Sequence, residues 1–168
     1  VMHILEHSVL QGSKDFPLKD VFTSLSKQSL NTFMNAMTGP SYTLYPFTSQ
    51  TKKDFFNLLH VYTNCVFFPL LRKEAFLQEG WRYEFEEPTN SDSKLKVTGV
   101  VYNEMIGALA SPYRNVMAEI SSNLYPDTIF SHESGGKPKN IPELSYEEFC
   151  DYHKKFYHPS NAIFVTYG

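Results

Sequence analysis

The first residues of the chain carry two histidines and a glutamate at a spacing suited to metal chemistry. In an α-helix, His3 and His7 lie one turn apart on the same face, and Glu6 projects beside them. Two imidazoles on one face can hold a divalent metal, and zinc suits them. A carboxylate at the edge of such a site can accept a proton from water that the metal activates. The pattern H-x-x-E-H therefore indicates a catalytic zinc site, although exposed helices also carry such triplets without a metal.

A catalytic zinc ion normally takes three protein ligands and leaves a fourth position to water. Glu104 is the candidate for the third ligand. It lies among apolar residues in the segment 100–107, which is predicted to begin a long helix reaching about Leu124, in a register that faces a core. A buried carboxylate must be paired or bound to a metal, because burying it alone is costly. A buried salt bridge or a partly exposed acid at the start of the helix is the alternative explanation of Glu104.

The elements that position these residues alternate between helical and strand periodicity. The first half is predicted to hold a motif helix ending near Leu10, a second short helix over 17–26, strands over 30–38 and 42–48, a helix over 51–68 and a short helix over 72–79. The second half is predicted to hold a strand over 81–87, an ordered segment over 95–97 and the long helix over 100–124. A helix that Ser145 and Glu148 cap and a final strand over 163–168 are predicted to follow. With no internal repeat, these elements predict one α+β domain, in which a mixed or antiparallel sheet packs with helices.

The strand pair over 30–48 has a feature that matters for function. Pro46 cannot donate a hydrogen bond to a strand partner, which suggests a sheet edge or a bulge near it. An edge strand beside a metal site can pair with an extended peptide and hold it by main-chain hydrogen bonds. An ordinary hairpin without this role fits the same residues.

Charge and composition argue against several classes of partner. The chain has 168 residues, 15 basic and 18 acidic, giving a net charge of −3, and it has no basic block. This balance argues against nucleic acid or an anionic membrane as the main partner. No apolar run approaches the roughly 20 residues of a membrane-spanning helix. Cys65 and Cys150 lie in separate segments without metal-ligand spacing, so we expect two buried reduced thiols.

Five blocks along the chain occur in the order in which a known family has them. The chain resembles the pitrilysin/insulinase superfamily of zinc proteases, and within it the presequence-protease and falcilysin branch. The resemblance covers essentially the whole chain and is carried by His3–Leu10, Leu30–Ala36, Gln78–Trp81, Gly99–Met105 and Tyr157–Ala162.

The resemblance implies roles for individual residues. His3 and His7 match the two histidine ligands of one zinc ion per chain, Glu6 matches the catalytic base, and Glu104 matches the distal glutamate ligand. The interval from His7 to Glu104 is 104 − 7 = 97 positions, which is in keeping with this branch. The strand containing Asn35 and Ala36 matches the edge strand that receives the substrate, so these two are the candidate substrate-binding residues.

The resemblance also implies a fold and an activity. We expect a pitrilysin/LuxS-like metallohydrolase domain acting as a zinc-dependent endopeptidase on short unstructured peptides, such as cleaved presequences. Relatives are much longer and close two halves around a chamber, the second half supplying Arg and Tyr groups that help to bind substrate. Since the chain begins inside the motif helix and stops in a predicted strand, we expect residues 1–168 to be a partial N-terminal zinc-binding catalytic domain. Its partners are then an extended peptide and the C-terminal half of the same polypeptide.

Two other functions remain compatible with the residues. One is a catalytically silent homologue that serves as a scaffold or peptide-binding domain, although such homologues usually lose part of the motif and all four positions are intact here. The other is a metallohydrolase that uses the same ligands on a non-peptide substrate. The compartment is left open: relatives occupy the mitochondrial matrix, other organelles or bacteria.

Overall fold

The computed structural model describes all residues, 1–168, as a mixture of helices and short strands. The α-helices are α1 (Met2–Ser8), α2 (Val21–Gln28), α3 (Lys52–Phe67), α4 (Lys73–Glu79), α5 (Val100–Leu109), α6 (Pro112–Leu124) and α7 (Tyr146–Phe156). The strands are β1 (Asn31–Met34), β2 (Met37–Thr38), β3 (Thr43–Leu44), β4 (Phe47–Ser49), β5 (Arg82–Phe85) and β6 (Leu95–Thr98). Three short 3₁₀ turns lie at Ile129–Ser131, Ile141–Glu143 and Pro159–Asn161.

The strands pair in three separate two-stranded ladders rather than in one continuous sheet. All three ladders are antiparallel: β1 pairs with β4, β2 with β3, and β5 with β6. Helices and antiparallel strands together confirm the predicted α+β class. None of the seven helices combines the length and the apolar character needed to cross a bilayer.

The core is built around α1. Ile4 and Leu5 on this helix belong to one buried cluster with side chains from five other helices, among them Phe76 of α4, Val101 of α5 and Phe149 of α7. Burying each such side chain contributes about 1.5–3 kcal/mol. An isolated helix of 7 residues would not be stable in water. Packing therefore holds α1 in its helical form.

The prediction of one long helix over 100–124 is wrong, because the chain forms two helices there. α5 ends at Leu109 and α6 begins at Pro112, with Ser111 as its N-cap. Proline has no N–H and its ring clashes with the preceding turn, so it is tolerated only at the start of a helix. The break leaves Glu104 on the short first helix, which packs on α1 and α4.

The single strand predicted over 30–38 is also divided. β1 ends at Met34 and β2 begins at Met37, and the two strands take different partners. Between them, the side-chain oxygen of Asn35 accepts a hydrogen bond from the Ala36 N–H at 3.0 Å. Asparagine side chains compete with ladder hydrogen bonds in this way, which accounts for the interruption.

Two further boundaries differ from prediction. The second helix begins at Val21 instead of Pro17, since the Asp20 side chain accepts the Thr23 N–H at 2.9 Å and caps the helix there. The final strand predicted over 163–168 is not formed, because this segment has no strand partner within the chain. The capping box of Ser145 and Glu148 on α7 is confirmed.

The burial of α1 gives a test of the core. Leu5→Ala removes a fully buried side chain and leaves a cavity, so we expect the free energy of unfolding to fall by about 2–5 kcal/mol. Urea unfolding followed by circular dichroism measures this change. Leu18→Ala, at an exposed position, is the matched control and should change stability by less than about 0.5 kcal/mol. Equal effects of the two substitutions would contradict a core centred on α1.

Candidate metal centre

His3, His7 and Glu104 converge at one point between α1 and α5. Nε2 of His3 lies 3.5 Å from Oε2 of Glu104, and Nε2 of His7 lies 3.7 Å from the same oxygen. The three ligand atoms all lie within 4.8 Å of one another. Zinc bonds of about 2.0–2.2 Å in tetrahedral geometry place ligand atoms about 3.4 Å apart. The three side chains therefore fit a zinc ion with little movement, and their assignment as ligands stays a prediction.

The ring of His3 is oriented by a main-chain carbonyl far along the chain. Nδ1 of His3 lies 3.1 Å from the oxygen of Gly135. A carbonyl oxygen only accepts, so Nδ1 carries the proton and donates it. In the neutral ring this leaves the lone pair on Nε2, the atom that faces Glu104.

The ring of His7 is oriented by a buried carboxylate. Nδ1 of His7 donates to Oε2 of Glu79 at 3.1 Å, and Glu79 is only 3 % exposed at the end of α4. The other carboxylate oxygen of Glu79 accepts from the side-chain amides of Gln11 at 3.3 Å and Gln78 at 2.9 Å. Carboxylate–histidine pairs of this kind fix the ring and raise the basicity of a metal ligand.

The charges around His7 set its protonation. Burial disfavours the protonated ring, but the hydrogen bond and charge of Glu79, with the charges of Glu6 and Glu104, outweigh burial and raise the pKa of His7 above its ordinary value. Three carboxylates thus surround two imidazoles. A cation at the centre would complement this negative charge.

Glu79 is the residue that sequence reasoning missed. Two signals could have found it: Glu79 lies in the family block Gln78–Trp81, and it is an acid at the C-terminal end of a helix, where the helix dipole disfavours negative charge. Gly80 also permits a close approach of α4 to α1, because a Cβ there would lie 2.8 Å from the Phe76 oxygen and 3.1 Å from the Ile4 side chain. That approach brings Glu79 to His7.

The prediction that Glu104 faces the core is wrong. Its side chain is 53 % exposed, while its neighbours Val101 and Met105 are buried and fix α5 against α1. The start of α5 is held in place by Gly99, where any Cβ would collide with the backbone of Gly80. Glu104 thus lies at the rim of the cluster, with its carboxylate partly open to solvent.

Glu6 lies buried on α1, with two tyrosines beside it. The hydroxyl groups of Tyr45 and Tyr157 are 3.1 Å apart. Burial above all, together with the charge of Glu6, raises the pKa of both tyrosines, and the contact with the Tyr157 hydroxyl raises the pKa of Tyr45 further. Both hydroxyls therefore stay protonated near the predicted base.

Asn35 and Ala36 lie at the junction of β1 and β2, and β2 packs against α1. The Asn35 N–H donates to the Pro46 oxygen at 3.0 Å, and the Ala36 N–H is taken by the Asn35 side chain. A peptide pairing here must use main-chain carbonyls or displace the Asn35 side chain. The substrate-binding role of the two residues stays a prediction.

The remaining histidines and the cysteines lie outside this cluster. His60 is exposed and packs edge-on against Phe16. His153 is buried and its Nε2 donates to the Val66 oxygen at 2.9 Å. Both cysteines are free thiols, and Cys65 is buried as predicted, whereas Cys150 is only partly buried.

The buried Glu79 carboxylate gives a test of the site. Glu79→Gln keeps an acceptor for His7 Nδ1 but removes the charge, so we expect zinc affinity to fall about 10-fold, and further in Glu79→Ala. Competition with a chromogenic chelator at fixed pH measures the affinity. Glu74→Gln, at an exposed position on the same helix, is the control and should leave affinity unchanged. Unchanged affinity in both folded Glu79 variants would show that this carboxylate does not support a metal.

The sequence matches a peptidase family model and aligns with several longer proteins. The family model of insulinase (peptidase family M16) matches residues 1–110. All of the chain aligns with Protein HypA of Clostridium perfringens, at 52 % identity over 170 residues, and with the mitochondrial presequence protease of Danio rerio, at 51 % over 168 residues. It also aligns with presequence protease 1 of Arabidopsis thaliana at 46 % identity over 171 residues. The chain spans 16–17 % of the length of these relatives.

The fold has a counterpart among solved structures. The crystal structure of pitrilysin superposes with a TM-score of 0.62 over 92 % of this chain and 15 % of its own, at 22 % identity. At that identity the likeness establishes a shared fold and confirms the predicted pitrilysin-like class. Together with the match of the family model over most of the chain, these similarities show that the chain belongs to the insulinase family of peptidases (family M16), in the branch of the presequence proteases.

Proposed function

We propose that this chain provides the metal centre of a zinc-dependent endopeptidase that degrades short unstructured peptides such as cleaved presequences. The observation that carries the proposal is the convergence of His3 Nε2, His7 Nε2 and Glu104 Oε2, with both Nδ1 atoms already engaged elsewhere. The similarity to presequence proteases supports a peptide as substrate. One zinc ion per chain would be held by these three residues.

When bound, zinc supplies a Lewis acid that polarises the scissile carbonyl and an attacking water molecule. Two neutral imidazoles and one carboxylate leave such an ion with net positive charge. Each ring can bind without reorganising, because its tautomer is fixed in advance by Gly135 or Glu79.

Glu6 acts as the general base. Glu6 directly precedes His7 on α1, so its carboxylate lies beside the three predicted ligands and is not one of them. It accepts a proton from the attacking water and returns it to the leaving amine. Its burial strengthens its electrostatic interactions with the reacting groups, since the local dielectric is low.

The substrate lies extended along the β1–β2 segment. Phe33, Asn35 and Met37 are exposed beside α1 and offer alternating side chains and main-chain groups to a peptide. Main-chain pairing selects for an unfolded, extended peptide more than for particular side chains. Because the chain spans only 16 % of the length of presequence proteases, we expect weak or no proteolysis without the C-terminal half of the longer polypeptide.

Metal content is the first test of this proposal. We expect about one zinc per chain in protein purified without chelators, and loss of most of it in Glu104→Ala, because two imidazoles alone bind zinc weakly. Mass spectrometry of the metal measures both. Glu86→Ala, which removes an exposed glutamate outside the site, should keep its zinc. Folded wild-type protein without zinc would refute the metal centre and favour a catalytically silent scaffold.

The role of Glu6 is tested separately in the longer polypeptide. Glu6→Gln keeps the size of the side chain but cannot accept a proton, so we expect peptide turnover to fall by at least about 10²–10⁴-fold while zinc stays bound. Cleavage of an unstructured peptide and metal content are measured on the same sample. Turnover at the wild-type rate in a zinc-loaded variant would remove Glu6 from the mechanism.

A further inference from the structure

A short segment far from α1 in sequence holds one of the two histidines. Residues 133–136, which we call the strap, run over the N-terminal end of α1, and the Gly135 oxygen accepts the His3 Nδ1 proton at 3.1 Å across 132 positions of sequence. His7 is held by a buried side-chain carboxylate on a helix, whereas His3 is held by a neutral main-chain group in a loop. The orientation of His3 therefore depends on where the strap lies.

The strap approaches the site too closely for a side chain at its centre. A Cβ at Gly135 would overlap the sulfur of Met105 and lie 3.4 Å from His3 Nδ1. Met105 is buried and directly follows Glu104, so the end of its side chain would have to repack within the core to admit a Cβ at Gly135. Gly135 is thus in contact with one predicted ligand and with the neighbour of another.

One carboxylate determines the position of the strap. Oε1 of Glu133 accepts from Arg114 Nη2 at 2.8 Å and from the Gly135 N–H at 3.4 Å. The Glu133 side chain is 13 % exposed and that of Arg114 is 42 % exposed, so the ion pair is partly shielded from solvent. A charge-assisted bond of this length is among the stronger polar contacts. It ties the strap to α6, a helix with no buried residue of its own.

We propose that Arg114 and Glu133 are positioning residues for the metal centre. The contacts run from Arg114 to the Glu133 carboxylate, from that carboxylate to the Gly135 N–H, and from the Gly135 oxygen to His3 Nδ1. They keep the His3 proton on Nδ1 and the lone pair of Nε2 directed at Glu104. This inference rests on the proposed metal centre and adds to it two residues that are not ligands.

An ion pair that only stabilises the fold makes a different prediction. Losing such a pair lowers the free energy of unfolding but leaves the His3 tautomer and the zinc affinity of the folded protein unchanged. Losing a positioning pair changes both in protein that remains folded. Zinc affinity and the tautomer of the metal-free protein therefore separate the two roles.

The experiment compares wild type with Arg114→Ala, Arg114→Lys and Gly135→Ala. Zinc affinity is measured by chelator competition at fixed pH, and the His3 tautomer by ¹⁵N NMR of metal-free protein. We expect Arg114→Ala to weaken zinc binding about 10-fold and to reduce the Nδ1–H population of His3, with Arg114→Lys restoring most of both. Gly135→Ala, which displaces the strap directly, should weaken zinc binding at least as much.

Arg82→Ala is the matched control. It breaks another partly exposed arginine–glutamate pair, with Glu84 at 3.2 Å, and should leave zinc affinity and tautomer unchanged. Unchanged affinity and tautomer in folded Arg114→Ala would overturn the proposal. A wild-type protein that binds no zinc would overturn the metal centre instead, and the tautomer of His3 in Arg114→Ala would still decide the role of the strap.

Discussion

The packing of α1 is the constraint on which the rest of the structure depends. Its 7 residues supply both core side chains and the chemistry of the site, and the helix is buried along most of its length, with only Met2 and His7 partly exposed. Ile4 and Leu5 pack against side chains of the neighbouring helices. Two of those helices deliver a group to the histidines, Glu79 from α4 and Glu104 from α5. The packing that forms the core therefore also brings the groups of the site together.

Charge explains why such a site suits a cation. Glu6, Glu79 and Glu104 all act on His7, and like charges held this close repel one another. A divalent cation between the imidazoles and Glu104 relieves that repulsion and satisfies the two Nε2 lone pairs. The two histidines are supported differently, since a buried carboxylate polarises His7 more strongly than a neutral carbonyl polarises His3. Of the two predicted ligands, His3 is therefore the one held by a main-chain group in a loop rather than by a buried side chain.

Local sequence patterns were reliable where neighbouring residues decide the structure. The capping box at Ser145 and the termination of α4 at Gly80 follow from contacts a few residues apart. The same reasoning failed over 30–38 and 100–124. The apolar periodicity continues through Asn35 and Pro112, but the strand and the helix are interrupted at these residues. It also placed Glu104 towards the core. Periodicity identifies the apolar face of α5, but it does not show how much of a residue at the border of that face is buried, and Glu104 is such a residue.

The sequence by itself determined the chemical groups of the site: the spacing of His3, Glu6 and His7 fixes their common side of one helix, and the family blocks point to Glu104. Only the tertiary structure decided what orients those groups. Glu79 and Gly135 reach the histidines from 72 and 132 positions away. Contacts over such separations depend on how α4 and the strap pack on α1. No local pattern specifies that packing, because the free energy that fixes it comes from burial summed over the whole core.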